Sequence, residues 1–340
     1  MIFYKINLTR FLKRGNQFAP LALGFALSLF LLVAFSKGSG SIFDFLLGSF
    51  SSAFYFGTML NTACIFMAGA IGNAIILTTG EYNLGGEGQI YIAGFVSAKI
   101  LTTAIPIPAN LRLPLAFFAS LLAPALMMTL SAILKQLKNA NVLLTSFLIS
   151  ASIIPFIDFA IAQSLSGSKN NLLALPFIAE KFRSIQLLKP SPLSLVALAS
   201  PIFCLVAWFV KFKTVLGRKL QITGISKEFS SYCGFPETKI MYGTFLASGV
   251  FHGLAGFVAV VGTYYTCHAG FYAGLGWNAL SVALLANANP LAIIPSSLLL
   301  SWLFASADRV TLSANFGFDI SALIQGILLS CIALQYARKK

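Results

Sequence analysis

The sequence predicts an all-α, polytopic membrane helical bundle of about ten transmembrane helices, with broken helices and two pseudo-repeats. Three observations carry that expectation. Of 340 residues, 58% are hydrophobic and only 9% are charged, whereas a soluble domain carries roughly a quarter charged residues to solvate its surface. The apolar residues arrive in uninterrupted blocks close to the roughly 20 residues that a helix needs to cross a hydrocarbon core of about 30 Å. None of the blocks alternates in the manner of a transmembrane strand, and in lipid only a helix or a closed barrel satisfies its own backbone.

The first span is expected at 20–36. Lys5, Arg10, Lys13 and Arg14 precede Leu21–Phe35 in a way that imitates a secretion signal, but no small-x-small site closes the apolar run, so a retained helix with a cytoplasmic start is the reading. Further spans follow at 53–77, 88–102, 113–134, 142–162, 193–210, 240–261, 274–286, 291–306 and 319–337. Positive charge collects on alternate connections: Lys135 and Lys138; then Lys211, Lys213, Arg218, Lys219, Lys227 and Lys239; then Arg338 to Lys340. The intervening connections hold little beyond Lys37, Arg112 and Arg309. By the positive-inside rule both termini are cytoplasmic. The loop 163–192 is an exception, with Lys169, Lys181, Arg183 and Lys189 on the outer side; because of it, roughly nine to eleven spans fit the pattern.

The same topology accounts for the net charge of +14. There is no basic helix with base-reading residues, so nucleic acid is not the expected partner. Cys64, Cys204, Cys233, Cys267 and Cys331 are scattered without CxxC spacing, which argues against a disulfide framework or a metal site.

The chain is expected to form a single transmembrane domain over 1–340. Within it, 1–52 is an N-terminal helix and loop, 53–210 a first half, 211–239 a cytoplasmic segment and 240–340 a second half. Two stretches interrupt the apolar pattern. Thr78–Gln89 sets four glycines and two carboxylates between apolar runs, and Gly262–Asn278 interrupts the second half similarly. Both predict non-helical backbone at membrane depth, which is tolerated where it lines a cavity. Gly69, Gly72, Gly80 and Tyr82 are echoed by Gly253, Gly256, Gly262 and Tyr264, suggesting related halves of the sort that place a transport pathway where their broken helices meet.

Glu81, Asn83, Glu87 and Gln89 are the first candidates for chemistry. A carboxylate within a span costs a few kcal/mol, so it faces a cavity or a partner, and the glycines around it let the backbone unwind. From physics alone, a polar patch on a translocation path and a short interfacial loop are equally good readings. Phe271 and Trp277 crowd the second interruption together with Tyr264, Tyr265 and Tyr272; such rings stack on a planar solute or anchor the chain at a membrane interface. His268, beside Thr266, is suited to a hydrogen bond to solute or neighbour. His252 lies within an expected helix, where an ordinary structural role is the simpler reading. There is no GxxxxGK followed by Ser or Thr, so the chain has no P-loop for ATP. No constellation suited to hydrolysis replaces it, and no catalytic residue, metal or bound cofactor is expected.

Tyr82-Asn83-Leu84-Gly85-Gly86-Glu87-Gly88-Gln89 resembles the "FNIGGEGQ" signature of permease subunits in bacterial ABC importers of the simple-sugar and nucleoside class, within the branched-chain amino acid and ribose permease family. Leu246-Ala247-Ser248-Gly249 with Gly253-Leu254-Ala255-Gly256 resembles a glycine-rich helix of that family, and Gly276-Trp277-Asn278, Val282–Leu285 and Asn289-Pro290 resemble a third segment. The resemblance runs from about residue 55 to the C-terminus. Departures are visible. Gln221 and Ile222 stand where the family has an Arg-Ala pair, Ser226 replaces an Asn, Ser230 and Ser231 replace alanines, a carboxylate is missing near Asn141-Val142, and His252 stands where a small residue is usual.

The resemblance implies an importer in the bacterial cytoplasmic (inner) membrane, carrying a nucleoside, a simple sugar or a related solute such as the vitamin riboflavin. Its partners would be an ATPase subunit that uses ATP, a second permease of related but different sequence, and an extracytoplasmic solute-binding lipoprotein. Glu81, Asn83, Glu87, Gln89, His268, Phe271 and Trp277 would line or brace the pathway. Arg218, Gly224, Ser226, Lys227, Glu228 and Gly234 would dock the ATPase. The competing reading is a stand-alone, proton-coupled transporter using Glu81, Glu87 or Asp158.

Overall fold

The computed structural model describes residues 46–103, 106–164 and 173–314, together with positions 26, 326, 327 and 330. The helices are α1 (Ala53–Thr78), α2 (Gly86–Thr102), α3 (Ala109–Lys138), α4 (Val142–Ser164), α5 (Ala199–Lys213), α6 (Val215–Ile225), α7 (Lys227–Tyr232), α8 (Glu237–Val258), α9 (Leu275–Leu285) and α10 (Pro290–Ala314). A π-helical stretch, Ala259–Tyr264, extends α8. Six of the described segments are long and apolar enough to cross a membrane, and the chain is a multi-pass, all-α membrane protein. The spans expected between 53 and 306 are helices whose ends shift by up to eight residues. Those expected at 20–36 and 319–337 fall almost wholly outside the described residues.

The described chain divides into two compact units, Gly57–Leu300 and a second that holds the described residues on either side of it in sequence. In the second, the Trp302 indole donates to the Leu46 carbonyl at 3.3 Å, the Ser49 and Ser306 hydroxyls lie 2.9 Å apart, and Arg309 donates to the Gly48 carbonyl and Ser51 hydroxyl while covering the Tyr55 ring.

Within Gly57–Leu300, small residues set the packing. With no hydrophobic drive between helices in lipid, close backbone approach supplies the contact energy. The α8 glycines implement this: a Cβ on Gly249 or Gly253 would lie 2.5 Å from a carbonyl of α3, and one on Gly256 would lie 2.4 Å from the Ile90 carbonyl of α2. Helices α1 and α8 are consequently buried on most sides. On α3, α4 and α5, by contrast, Phe118, Leu122, Leu126, Leu148, Phe156, Phe159, Ile202 and Phe209 point outward, as lipid-facing side chains do.

Both expected interruptions are present and narrower than the sequence suggests. The first is non-helical over 79–85, with α2 beginning at Gly86; the second covers 265–274, with α9 beginning at Leu275. The order long buried helix, break, shorter helix therefore occurs twice. The connection 173–198 is folded onto the second break. Leu175 N–H donates to the Cys267 carbonyl at 2.9 Å, Ile178 N–H to Tyr265 at 2.8 Å and Ala269 N–H to Leu173 at 2.8 Å, and the Thr266 hydroxyl donates to the Leu175 carbonyl at 2.7 Å. This explains two of the charges that disturb the topology count. Lys181 lies over the Phe182 ring, and Arg183 lies over Tyr265 while donating to the Ile178 carbonyl. They are parts of a cap.

Candidate functional site

Connectivity orients the two short helices. Lys211, at the end of α5, donates to the Thr78 hydroxyl at 2.9 Å and to the Ala288 carbonyl at 2.6 Å. The end of α1 and the segment following α9 thus sit together at one end of the bundle, here termed the basic end. Lys135, near the end of α3, joins them through Glu81. Helix α9, with 11 residues, spans about 16 Å, so its N-terminus lies about halfway through a hydrocarbon core of about 30 Å. Helix α2 starts at that depth and leads the other way.

The two starts touch. A Cβ on Gly276 would lie 2.4 Å from the Glu87 nitrogen, and one on Gly86 would lie 3.1 Å from the Gly276 Cα; only glycines allow this approach. Glu87, in the first turn of α2, accepts hydrogen bonds from the Gly276 N–H at 2.9 Å and the Trp277 N–H at 3.2 Å. A helix N-terminus carries roughly half a positive charge. Two of them brought together repel, and the Glu87 carboxylate stands where it offsets both.

The rest of the first break is held by side chains. Asn83 and Gln89 form a reciprocal amide pair at 2.9 and 3.1 Å. Asn83 also donates to the Ser248 hydroxyl at 3.0 Å and accepts from Gly85 N–H at 2.8 Å. Helix α4 supplies Ser146 and Ser150, whose hydroxyls accept from Leu84 N–H at 3.1 Å and Gly88 N–H at 2.7 Å. These are N–H groups that the break and the helix start leave without carbonyl partners, and each buried one left unpaired would cost about 1–3 kcal/mol. His252 is fully buried, donating from Nδ1 to the Ser248 carbonyl at 2.8 Å, in a cradle formed by Gly69, Gly72 and Gly86.

Of the sequence-predicted pathway residues, the structure brings Asn83, Glu87, Gln89 and Trp277 to this crossing. Trp277 is 37% exposed. Phe271 and His268 lie toward the cap: Phe271 is buried against Gly94 and neighbours His268 and Tyr264 at 5.9 and 5.7 Å between ring centroids. Glu81 is elsewhere, at the basic end, bonded to Lys135 and, at 3.1 Å, to Lys227. Burial alone would raise its pKa. The hydrogen bonds and attraction of Lys135, then of Lys227, outweigh burial and hold the carboxyl below its ordinary value.

Several residues of the crossing are absent from the sequence expectation. Ser146 and Ser150, four residues apart, form a polar stripe on an apolar helix, a legible signal. Tyr91 carries no such signal, since it sits inside an apolar run. Its hydroxyl donates to Asp158, and its ring meets Tyr272 at 4.4 Å and Phe271 at 5.6 Å.

The predicted docking residues lie on α6, α7 and the turn that follows, at the basic end. Gly224 presses on the end of α1, where a Cβ would come 1.9 Å from the Thr78 carbonyl. The Thr223 and Ser230 hydroxyls, 2.9 Å apart, tie α6 to α7, and Ser226 caps α7 by accepting from Phe229 N–H at 3.1 Å. Gly234 ends the motif at φ +68°. Arg218, Lys227 and Glu228 are exposed beside Ile225 and Tyr232, which are 86% and 91% exposed.

Comparison with known proteins identifies the family. A family model described as branched-chain amino acid transport system, permease component, matches residues 55–333. The chain is 31% identical over 330 residues to the Probable riboflavin import permease protein RfuC of Treponema pallidum, covering 95% of this chain and 86% of that protein. It is 24% identical to the Guanosine ABC transporter permease protein NupP of Bacillus subtilis, over 85% of this chain and 84% of that protein. It is 25% identical to the Nucleoside ABC transporter permease protein NupB of Lactococcus lactis subsp. cremoris, over 92% and 88%. With a glycine-lined crossing of two broken helices at its centre and a family match over most of its length, this chain belongs to the permease components of the branched-chain amino acid transport family.

Proposed function

We propose that the chain is the permease subunit of an ATP-binding-cassette importer in the bacterial cytoplasmic membrane, with the basic end in the cytoplasm. Its substrate is a nucleoside, a simple sugar or a related small solute, and a ring-bearing solute of the riboflavin and nucleoside kind is the class we favour. The similarity to the riboflavin permease along nearly the whole chain supports that preference.

The observation that carries the importer reading is the clasp at the basic end. Helix α7 is joined to the signature loop by the Lys227–Glu81 ion pair, and α6 lies directly on the end of α1 at Gly224. Movement of α6 and α7 is thereby passed to the segment that leads, within six residues, from Glu81 to the crossing at Glu87. An ATPase grasping the exposed Ile225, Phe229 and Tyr232 would shift the clasp as a rigid body and so open or close the crossing. The extracytoplasmic binding protein would deliver solute at the capped end, and a second permease would complete the pathway.

The carboxylates that a proton-coupled transporter would use are each engaged in this fold: Glu81 with two lysines, Glu87 with two backbone N–H groups and Asp158 with Tyr91. Affinity purification of the full chain from its native membrane tests the importer reading. Recovery of a P-loop ATPase, lost when Ile225 and Tyr232 are both replaced by Asp, is the expected result. Recovery of the chain without an ATPase under conditions that keep it folded would overturn it.

A further inference from the structure

We propose that the groove between α5 and α8 at the basic end is a binding site for an anionic phospholipid of the adjacent leaflet. The groove has a volume of about 670 Å³ and is lined by Phe203, Val206, Ala207, Val215, Ala247 and Phe251 among other apolar side chains, with Lys211, Lys219 and Lys239 also on its wall. Its floor is the last turns of α1 at Ala74 and Ile75.

Two independent features point to this ligand. The first is depth. Lys239 and Phe251, both lining the groove, lie twelve residues apart on α8, a rise of about 18 Å. One leaflet of a hydrocarbon core about 30 Å thick is about 15 Å deep. The edge-to-face pair of Phe203 and Phe251, with centroids 5.8 Å apart, closes the inner end. The groove therefore has the reach of an acyl chain that enters from the basic end. The second feature is charge. Among the described residues Lys211, Lys219 and Lys239 form no ion pair with a carboxylate. The Lys211 ammonium is hydrogen-bonded to a hydroxyl and a carbonyl, both neutral, and Lys219 lies over the Phe235 ring. Three uncompensated ammoniums around an apolar slot match a negatively charged headgroup attached to a hydrocarbon tail. Basic pockets between helices on the cytoplasmic side recognise anionic lipid on this principle. Zwitterionic lipid would fill the slot but bring its own cation beside the lysines.

The test uses the full chain, with whatever subunits co-purify, in nanodiscs of phosphatidylcholine and phosphatidylglycerol. Lipid retained after detergent extraction and washing is quantified by mass spectrometry. The wild type is expected to retain phosphatidylglycerol over phosphatidylcholine by at least about tenfold relative to the nanodisc composition. In Lys219→Gln/Lys239→Gln that ratio falls toward one. Ala207→Trp, which fills the slot, loses retained lipid of both kinds; the lysine variant keeps the test decisive if the tryptophan variant does not fold. Equal retention of the two lipids, or a preference unchanged in the lysine variant, overturns the proposal. Inorganic phosphate that displaces the retained lipid at millimolar concentration would assign the lysines to a free anion, and a groove that retains no lipid would assign it to a protein segment; each refutes a lipid site.

Discussion

Replacing Glu87 alters the carboxylate set between the starts of α2 and α9. In Glu87→Gln the bonds to Gly276 and Trp277 N–H, 2.9 and 3.2 Å in the wild type, persist with a neutral acceptor. Hydrogen bonds to charged groups contribute about 1.5–3 kcal/mol and neutral ones about 0.5–1.5, so each bond weakens by about 1 kcal/mol. Loss of charge at the helix N-termini adds a few tenths to about 1 kcal/mol. Local opening at the crossing thus becomes easier by about 2.5 kcal/mol, a factor of about 70. Glu87→Ala removes the acceptor altogether and leaves the buried Gly276 N–H and the part-buried Trp277 N–H unpaired, at about 1–3 kcal/mol for a fully buried group. Hydrogen–deuterium exchange of the peptide containing Gly276 and Trp277, in the full chain in nanodiscs, reads these values directly. We expect about 70-fold faster exchange in Glu87→Gln, a larger change in Glu87→Ala, normal membrane insertion and reduced uptake. Wild-type exchange in Glu87→Ala would refute the bracing role, and wild-type uptake in Glu87→Gln would remove Glu87 from the pathway.

The basic end offers a matched pair of glycine substitutions. Gly224→Ala drives a methyl into the Thr78 carbonyl and should abolish ATPase stimulation by the complex while the chain still inserts. Gly234→Ala meets nothing within 4 Å and costs only the left-handed backbone strain of about 1–2 kcal/mol, so ATPase stimulation should persist. Gly276→Ala forces apart the starts of α2 and α9; an overpacking cost of about 1–3 kcal/mol should appear as a lower unfolding temperature with lost uptake. The Glu81 clasp predicts a pH dependence. Its folded pKa lies below the ordinary value of 4.5, so its contribution is fully present above that value and is lost as pH falls through the lower, folded one. Protection of the α7 peptide from exchange, corrected for the intrinsic pH effect, should hold from pH 7 to pH 5 and fall in more acidic solution. Glu81→Gln should lower protection at pH 7 and flatten that dependence.

Much of the fold was legible because lipid imposes a simple rule. Apolar blocks of sufficient length mark helices, and the glycines and carboxylates of 78–89 and 262–278 stand out against them. What periodicity does not disclose is which distant pieces meet. The approach of Gly276 to Glu87 follows from two breaks at the same depth, and depth depends on how far each helix is pushed along the bundle, a tertiary property. Glu81 and Glu87 lie six residues apart and read alike in sequence. The first is drawn to Lys135 and Lys227 at the basic end and the second into the crossing, because the backbone between them climbs into the membrane. The cap over the second break was hidden for a different reason. Its hydrogen bonds join residues 173–178 to 265–269 through backbone groups, and backbone pairing across such a separation leaves no mark on residue type. Asp158 and Tyr91 illustrate the converse, a part-buried polar pair between two apolar helices whose partner is unreadable from either alone.

The central claim, that this permease moves solute only when driven through its basic end by an ATPase, is tested most directly by uptake into proteoliposomes. The full chain is reconstituted with and without its co-purifying ATPase and second permease, with binding protein and radiolabelled riboflavin or guanosine outside. Uptake that requires the complete complex and internal ATP, and that is indifferent to a protonophore, is the predicted result. Uptake by the chain alone, driven by an imposed proton gradient without ATP, would contradict it.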